Sequence, residues 1–263
     1  MGVYSRSSAL NNFQRFGQNQ YPGRVIVMGV AEDGKHIIQL YAITGRSVGS
    51  RNRVLKAVDD CGSTGEKPFQ YKSRVFTDVA DQNKVDKNTN KDLIIYNAII
   101  EDGGRFIVSN GRQTDIVLNS TNNLDVALRS FQYEPDLPNY TSRITGVCTL
   151  KPCNQLFEFS VLRKSPWCDG CYRVIYPFTE IEAGFGFGIM TYAGDGNPLP
   201  AFTEDPILLP LDGSPEEIAD DYWNDLDMDN RVALAVKAIN IVTGKSSTTV
   251  INKYAEVPLS AVV

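Results

Sequence analysis

The sequence has little of what most catalytic sites are built from. Its 263 residues include one histidine, His36. Ser-His-Asp and Cys-His mechanisms need an imidazole base that a third group orients. His36 instead follows the turn-forming Asp33-Gly34-Lys35 at the start of a predicted strand, so we do not expect histidine-based catalysis.

Positive charge and long apolar runs are scarce as well. The formal net charge is −5 and the sequence pI is about 5.0, which argues against a broad nucleic-acid surface. No apolar run approaches the ~18–20 residues of a membrane span. The first twenty residues are rich in Asn and Gln and have no apolar signal core. We therefore expect a cytoplasmic protein with neither nucleic-acid nor membrane partners.

The number of cysteines is odd, which argues against a disulfide framework. The five are Cys61, Cys148, Cys153, Cys168 and Cys171. Trp167-Cys168-Asp169-Gly170-Cys171 is similar to the thioredoxin redox sequence, but a predicted strand follows it where that chemistry needs a helix N-terminus. The last four cysteines have spacings compatible with zinc, although Cys148 falls inside an apolar strand. We expect free thiols and no metal; a zinc site or one disulfide is the alternative.

Apolar runs joined by hairpin turns dominate what is present. Arg24 to Val30 and His36 to Thr44 flank Asp33-Gly34, and two more runs flank Asp102-Gly103-Gly104. Hairpins favour antiparallel pairing. Several predicted strands are apolar on both faces, so each sheet needs cover on both sides. The pattern predicts an α+β fold of two stacked sheets covered by helices.

Two helices are predicted from local signals. One carries Leu124, Ala127, Leu128 and Phe131 on one face. The other begins at Ser214-Pro215, with serine as N-cap and proline in the first turn. We find no linker, and expect one domain over residues 21–263 after an N-terminal extension of residues 1–20.

Polar clusters at strand ends are the candidate functional residues. The first is Gly45 to Arg53, with arginines at 46, 51 and 53. Guanidinium groups match oxyanion geometry, and Gly45 and Gly49 would let backbone N–H groups approach an anion. The cluster predicts an anion cradle, with a solvated loop as the alternative. Further clusters are Tyr96-Asn97, Asn110 to Asp115, Glu134 to Arg143 and Asp195 to Asn197.

In this order the clusters resemble the archaeal-type inosine monophosphate (IMP) cyclohydrolases and their bacterial relatives. The matching pieces are Gly23-Arg24, Gly45-Arg46-Ser47 through Asn52-Arg53, Ile95-Tyr96-Asn97, Ser109-Asn110-Gly111 with Thr114-Asp115, Tyr133-Glu134 through Arg143-Ile144, and Tyr192 through Pro200. The resemblance implies a four-layer αββα sandwich like that of N-terminal-nucleophile hydrolases. Those enzymes carry a nucleophile where this chain has Tyr21-Pro22-Gly23-Arg24, so no covalent intermediate is expected. The cysteine-bearing segment 153–171 also departs from the archaeal pattern.

The resemblance further implies a cofactor-independent hydrolase of purine biosynthesis, which closes 5-formamidoimidazole-4-carboxamide ribonucleotide (FAICAR) to IMP with loss of water. It implies catalytic roles for Tyr96, Glu134 and Arg143. Substrate-binding roles follow for Arg46, Ser47, Asn52, Arg53, Asn97, Asn110, Asp115, Asn139, Asp195 and Asn197. The partner is then a purine nucleotide, and a homo-oligomer stays open. The alternative is a non-catalytic purine-nucleotide-binding protein on the same fold.

Overall fold

The computed structural model describes residues 4–59, 73–85, 93–120, 124–150 and 155–254. Its helices are α1 (Arg6–Gly17), α2 (Val48–Arg51), α3 (Gln113–Asn119), α4 (Leu124–Leu128) and α5 (Pro215–Asp225). Its strands are β1 (Arg24–Val30), β2 (His36–Thr44), β3 (Val54–Asp59), β4 (Ser73–Asp78), β5 (Asn97–Asp102), β6 (Arg105–Ser109), β7 (Arg143–Leu150), β8 (Gln155–Lys164), β9 (Cys171–Phe178), β10 (Phe185–Met190), β11 (Ile207–Pro210), β12 (Arg231–Asn240) and β13 (Ser246–Asn252).

The strands form two antiparallel sheets, which confirms the α+β prediction. The first sheet has the order β11-β10-β1-β2-β12-β13. The second runs β3 to β9 in chain order, as a series of hairpin connections would produce.

Both faces of each sheet are covered by apolar side chains. Between the sheets, Ile26 and Tyr41 pack in one core with Ile144 and Phe159. On the outer face of the first sheet, α1 and α5 contribute Phe16, Ile218, Ala219, Tyr222 and Leu226. On the outer face of the second, α3 and α4 contribute Val117, Leu118, Leu124, Ala127 and Leu128. The layers therefore follow the order helix, sheet, sheet, helix.

Helix α1 was not predicted from the sequence. Its N-cap is Ser5, whose side chain accepts a hydrogen bond from the Ser8 N–H. Ala9 and Phe16 are buried. The Phe13 ring packs edge-on against the ring of Tyr222 in α5, with the ring centroids 4.9 Å apart. Its apolar spacing of four and three residues is short and sparse, and packing supplies most of the stability of such a helix.

Three other sequence-based boundaries differ from the structure. Helix α3 occupies part of the polar cluster Asn110 to Asp115, where the sequence predicts no helix. Gln113 and Thr114 are buried there through hydrogen bonds rather than apolar contact. The apolar run before Asp102-Gly103-Gly104 starts at Leu93 and predicts a strand from that residue, but the strand begins at Asn97. Residues 69–76 also predict a strand, which corresponds to β4, and residues 69–72 lie outside the described residues.

One end of the sandwich collects the ends of strands from both sheets. Arg24 pairs with Ile43 near the end of β2, and Val25 pairs with Met190 at the end of β10. In the other sheet Ser109, the last residue of β6, pairs with Thr145. Antiparallel neighbours start and end at a shared edge, so loops far apart in sequence meet there.

No helix in the described part of the chain is long and apolar enough to cross a membrane.

Candidate functional site

A cavity of about 360 Å³ opens at this end of the two sheets. Segments on both sides contribute to it, so the fold itself brings the clusters together. The lining residues are Tyr21, Arg24, Arg46, Ser47, Ser50, Arg53, Leu93, Asn110, Glu134, Asp136, Asn139, Thr141, Tyr192 and Leu199. A second cavity of about 470 Å³ shares Leu93 with it and is also lined by Tyr133 and Arg143.

Two neighbouring guanidinium groups give the first cavity its charge. Arg24, the first residue of β1, donates to the carbonyl of Thr44 at 3.2 Å and is hydrogen-bonded to Tyr96. Arg53, just before β3, is 8% exposed. Burial, together with the adjacent Arg24 charge, lowers the pKa of Arg53. Within the described chain, Nε and Nη1 of Arg53 are buried with no hydrogen-bond partner, and such groups are costly unless a ligand satisfies them.

Glu134 lies opposite these cations in the segment between α4 and β7. Its Oε1 is 3.6 Å from Nη1 of Arg143, and the two side chains are 13% and 10% exposed. Burial raises the pKa of Glu134 to about 7, although Arg143 and Arg24 act in the opposite direction. A carboxyl group with this pKa can both accept and return a proton near neutrality.

Two tyrosines, Tyr41 and Tyr96, adjoin Arg24 without being among the residues that line the cavity. The hydroxyls of Tyr41 and Tyr96 are 2.7 Å apart. Tyr41 is fully buried, and burial, with the neighbouring Tyr96, raises its pKa well above the ordinary value. Tyr41 therefore keeps its proton. With that proton donated to Tyr96, the Tyr96 proton is free to point elsewhere.

Polar contacts hold segment 132–142, which contains Glu134, in place. The Glu134 N–H donates to the carbonyl of Thr141 at 2.8 Å. The Thr141 hydroxyl is bonded to Asp136 and to the Tyr192 hydroxyl, and burial raises the pKa of Tyr192 to about 12. Asn139 Oδ1 accepts from the Leu199 N–H at 3.0 Å. These bonds fix the segment against the β10–β11 connection.

The mouth of the cavity carries Arg46, whose side chain is 37% exposed. Arg46 forms an ion pair with Asp195, and its guanidinium lies 5.4 Å from the centre of the Tyr21 ring. Tyr21 in turn stacks on Tyr192 with ring centroids 5.8 Å apart. Asp195 is therefore connected to the cavity through its ion pair with Arg46, while Asn197 lies two residues further along the same connection.

The arginine cluster is partly structural. Residues 48–51 form the short helix α2, capped by Ser47. The Gly45 N–H, predicted to approach an anion, donates instead to the carbonyl of Asn230 at 2.8 Å. Arg51 donates to the Gly45 carbonyl at 3.0 Å. Asn52 bonds the backbone of Asp81 through both ends of its amide and lines a different cavity.

Asn110, Asn97 and Asp115, the remaining predicted residues, also divide between the cavity and purely structural contacts. Asn110 lines the cavity and also ties its own loop to β7, because it accepts from the Ile144 N–H at 2.9 Å. Asn97 donates to Asp115 on α3 at 2.7 Å, so both belong to the packing between β5 and α3.

Sequence reasoning gave no role to eight of the lining residues: Tyr21, Arg24, Ser50, Leu93, Asp136, Thr141, Tyr192 and Leu199. Arg24 and Tyr192 stood among the pieces that carried the resemblance. A charged residue at the start of a buried strand was the available signal for Arg24. For the other seven, residue type and spacing indicated no role, and the folded arrangement brings them to the cavity.

The described cysteines are free: Cys148 is buried in β7, Cys168 is exposed, and Cys171 is partly buried. Burial raises the pKa of Cys148 to about 12. Cys61 and Cys153 lie outside the described residues. Among the described residues no group of three His, Cys, Asp or Glu side chains is arranged to hold a metal ion.

One family model matches this chain. It is described as an IMP cyclohydrolase-like protein, and the match covers residues 21–245. Comparison with curated proteins gave no match.

Proposed function

The chain belongs to the IMP cyclohydrolase-like family, and we propose that it closes the ring of FAICAR to give IMP and water. The observation that carries the proposal is the presence in one cavity of two neighbouring guanidinium groups, the partly buried Arg24 and the buried Arg53, together with the carboxyl group of Glu134, whose pKa is raised to about 7.

Ring closure needs little beyond orientation and proton movement. The carboxamide nitrogen attacks the formyl carbon of the same molecule, and the formyl oxygen leaves as water. That water takes one proton from the carboxamide nitrogen and one from the formamide nitrogen. Because the reaction is intramolecular, holding the reactive conformer supplies much of the acceleration.

Glu134 takes the carboxamide proton in this proposal. It lines the cavity, and its pKa of about 7 suits a base that must later act as an acid. Arg143, 3.6 Å away, orients the carboxylate and favours its charged form.

Tyr96 donates to the formyl oxygen as negative charge develops there. Its hydroxyl is held by Tyr41 and Arg24. The unpaired N–H groups of Arg53 stabilise the same charge, as preorganised donors do in an oxyanion hole.

The 5′-phosphate lies at the mouth, beside Arg46, Ser47 and Ser50. Arg46 is 37% exposed whereas Arg53 is 8% exposed, and the most strongly hydrated group of a nucleotide loses least at the wetter end. Asn110 and Asn139 line the space between and contact the ribose or the base.

The test is incubation of the purified chain with FAICAR, without added metal or cofactor, while purine absorbance is followed. Steady formation of IMP is expected. Tyr96→Phe should slow it while IMP still binds, and Tyr222→Phe is the matched control, a buried tyrosine bonded to Pro210 in the α5 layer. IMP binding without turnover would indicate a nucleotide-binding protein, and failure of both would overturn the proposal.

A second pair of variants tests the mouth. Arg46→Ala should raise KM and weaken inhibition by IMP, whereas Arg6→Ala, which breaks a similarly exposed ion pair with Asp212, should not. Equal behaviour of the two variants would remove Arg46 from phosphate binding.

A further inference from the structure

The connection between β8 and β9 presents two thiols beside the candidate site. Lys164 pairs with Cys171 in the hairpin register, and residues 165–170 form the connection. Cys168 is exposed within it, and Cys171 is the partly buried first residue of β9.

Cys168 has the surroundings of a reactive thiol. Its Sγ accepts from the Gly170 N–H at 3.4 Å. A hydrogen bond with Ser165 and this backbone bond lower the pKa of Cys168, and the Lys164 charge acts in the same direction. Exposed thiols with stabilised thiolates are the ones that attack disulfides.

Cys171 follows Cys168 after two residues and is the candidate second thiol. The Cys168 sulfur leans forward over Gly170, the residue before Cys171; a Cβ on Gly170 would lie 3.1 Å from it. Cysteines separated by two residues in a bend can be bridged with normal disulfide geometry after a side-chain rotation.

The same connection is bonded to the segment that carries Glu134. The Tyr133 hydroxyl donates to the carbonyl of Asp169 at 3.2 Å, and the Tyr133 backbone is hydrogen-bonded to the Cys171 thiol. Further along, Lys164 lies 5.1 Å above the ring of Tyr140. The hairpin thus touches segment 132–142 next to Glu134 and again next to Thr141.

We propose that Cys168 and Cys171 are a thiol–disulfide exchange site for low-molecular-weight disulfides, and that bridging them loosens segment 132–142. The Cys168 thiolate attacks one sulfur of the small disulfide; a mixed disulfide forms and one small thiolate leaves. Cys171 loses its proton to that thiolate and attacks the Cys168 sulfur, which releases the second. Two protein thiols are oxidised while one small disulfide is reduced to two thiols.

Bridging draws Cys171 away from the Tyr133 backbone and from its apolar neighbours. Cys171 packs with Phe131 and Ile175 against the outer core of the second sheet. The Asp169 carbonyl, between the two cysteines, moves with the bridge and weakens the bond from Tyr133. The exchange chemistry stands by itself, whereas an effect on catalysis rests on the proposed function.

The chemistry is tested by treating the reduced full-length chain with glutathione disulfide and measuring intact mass and peptide maps. Loss of two hydrogen atoms in a Cys168–Cys171 peptide is expected. Cys171→Ser should trap a glutathione adduct on Cys168, and Cys168→Ser should give no bridge to Cys171. An unmodified Cys168, or a bridge from it to Cys61 or Cys153, would overturn the proposal.

The coupling is tested by hydrogen exchange, which needs no substrate. Amides of residues 133–141 should exchange faster in the bridged protein and recover after reduction, while those of β1 and β2 stay unchanged. Unaltered exchange in this segment would overturn the coupling. IMP affinity should fall several-fold on oxidation; if neither form binds IMP, the proposed function fails while the exchange site stands.

Discussion

The two halves of the sandwich bury charged groups in different ways. We call the half of the sandwich away from the cavity the closed half. There Nζ of Lys237, fully buried on β12, lies 2.8 Å from Glu101 on β5 and is also bonded to Ser73. At the cavity, Arg24 and Arg53 adjoin each other, and Arg53 has buried N–H groups unpaired within the described chain. The first arrangement joins the two sheets; the second is suited to a ligand that supplies the missing negative charge.

The carboxyl groups of the two halves, Glu101 and Glu134, also differ in their contacts. Glu101 accepts from Ser246 in addition to pairing with Lys237, so its charge is neutralised locally. Glu134 has Arg143 at 3.6 Å, and burial still raises its pKa to about 7. Perturbed carboxyl groups in a cavity mark functional sites more often than paired ones in a core.

The largest expected effect is on catalysis at the open end. Glu134→Gln keeps the shape of the side chain and removes its proton-accepting ability, so kcat for ring closure should fall about 10²–10⁴-fold. Glu101→Gln is the matched change in the closed half and should leave kcat near wild type. Comparable losses in the two variants would abolish the distinction between the halves.

The free energy of unfolding, in contrast, should depend most on the buried ion pair of the closed half. Lys237→Met leaves Glu101 buried without its cation, and the free energy of unfolding should fall by about 3–5 kcal/mol. Urea unfolding measures this. Adding Glu101→Gln to the same chain should recover part of the loss, because the uncompensated charge is removed. A neutral Lys237→Met would show that the pair does not hold the sheets together.

The pH dependence of stability should isolate Glu134. Its pKa of about 7 lies above the ordinary 4.5, so the folded state holds the proton more tightly than the unfolded state. The resulting stabilisation is complete below about pH 4.5 and is lost as the pH rises through about 7, on the order of 3 kcal/mol in all.

Comparison of Glu134→Gln with wild type at about pH 5 and about pH 8 measures this contribution. The glutamine variant should gain relative stability at the higher pH. If the difference between the two proteins does not change with pH, Glu134 does not titrate in this range.

The sequence predicted the hairpin framework because its signals are local. Residues 24–30 and 36–44 are apolar runs bounded by turn residues, and the strands have these bounds. Helix α1 was missed because Ala9, Phe13 and Phe16 form an apolar face only against α5 and the first sheet. Helix α3 was missed because Gln113 and Thr114 are buried by hydrogen bonds.

The candidate site was predictable in its parts but not in its electrostatics. Arg53 and Glu134 could be named from polar residues at strand ends, since antiparallel edges bring such ends together. The pKa of Arg53 is lowered by burial and by the charge of Arg24, and Arg24 belongs to a different sheet. Asn52 has the same residue type as a ligand-binding amide, yet its bonds go to the Asp81 backbone. Residue type and spacing do not distinguish these cases.

Arg53→Met makes the most direct comparison of the two halves. It removes a buried cation that lies beside another cation, so stability should stay level or rise, unlike the loss expected from Lys237→Met. Ring closure should slow about 10²–10³-fold, because the charge that develops on the formyl oxygen loses a preorganised donor. Arg51→Met is the control two residues away: Arg51 holds the Gly45 carbonyl and Asn230, so it should cost stability more than activity. If Arg53→Met destabilises the free protein as Lys237→Met does, the Arg53 charge is already satisfied without ligand, and the cavity has no unmet need for an anion.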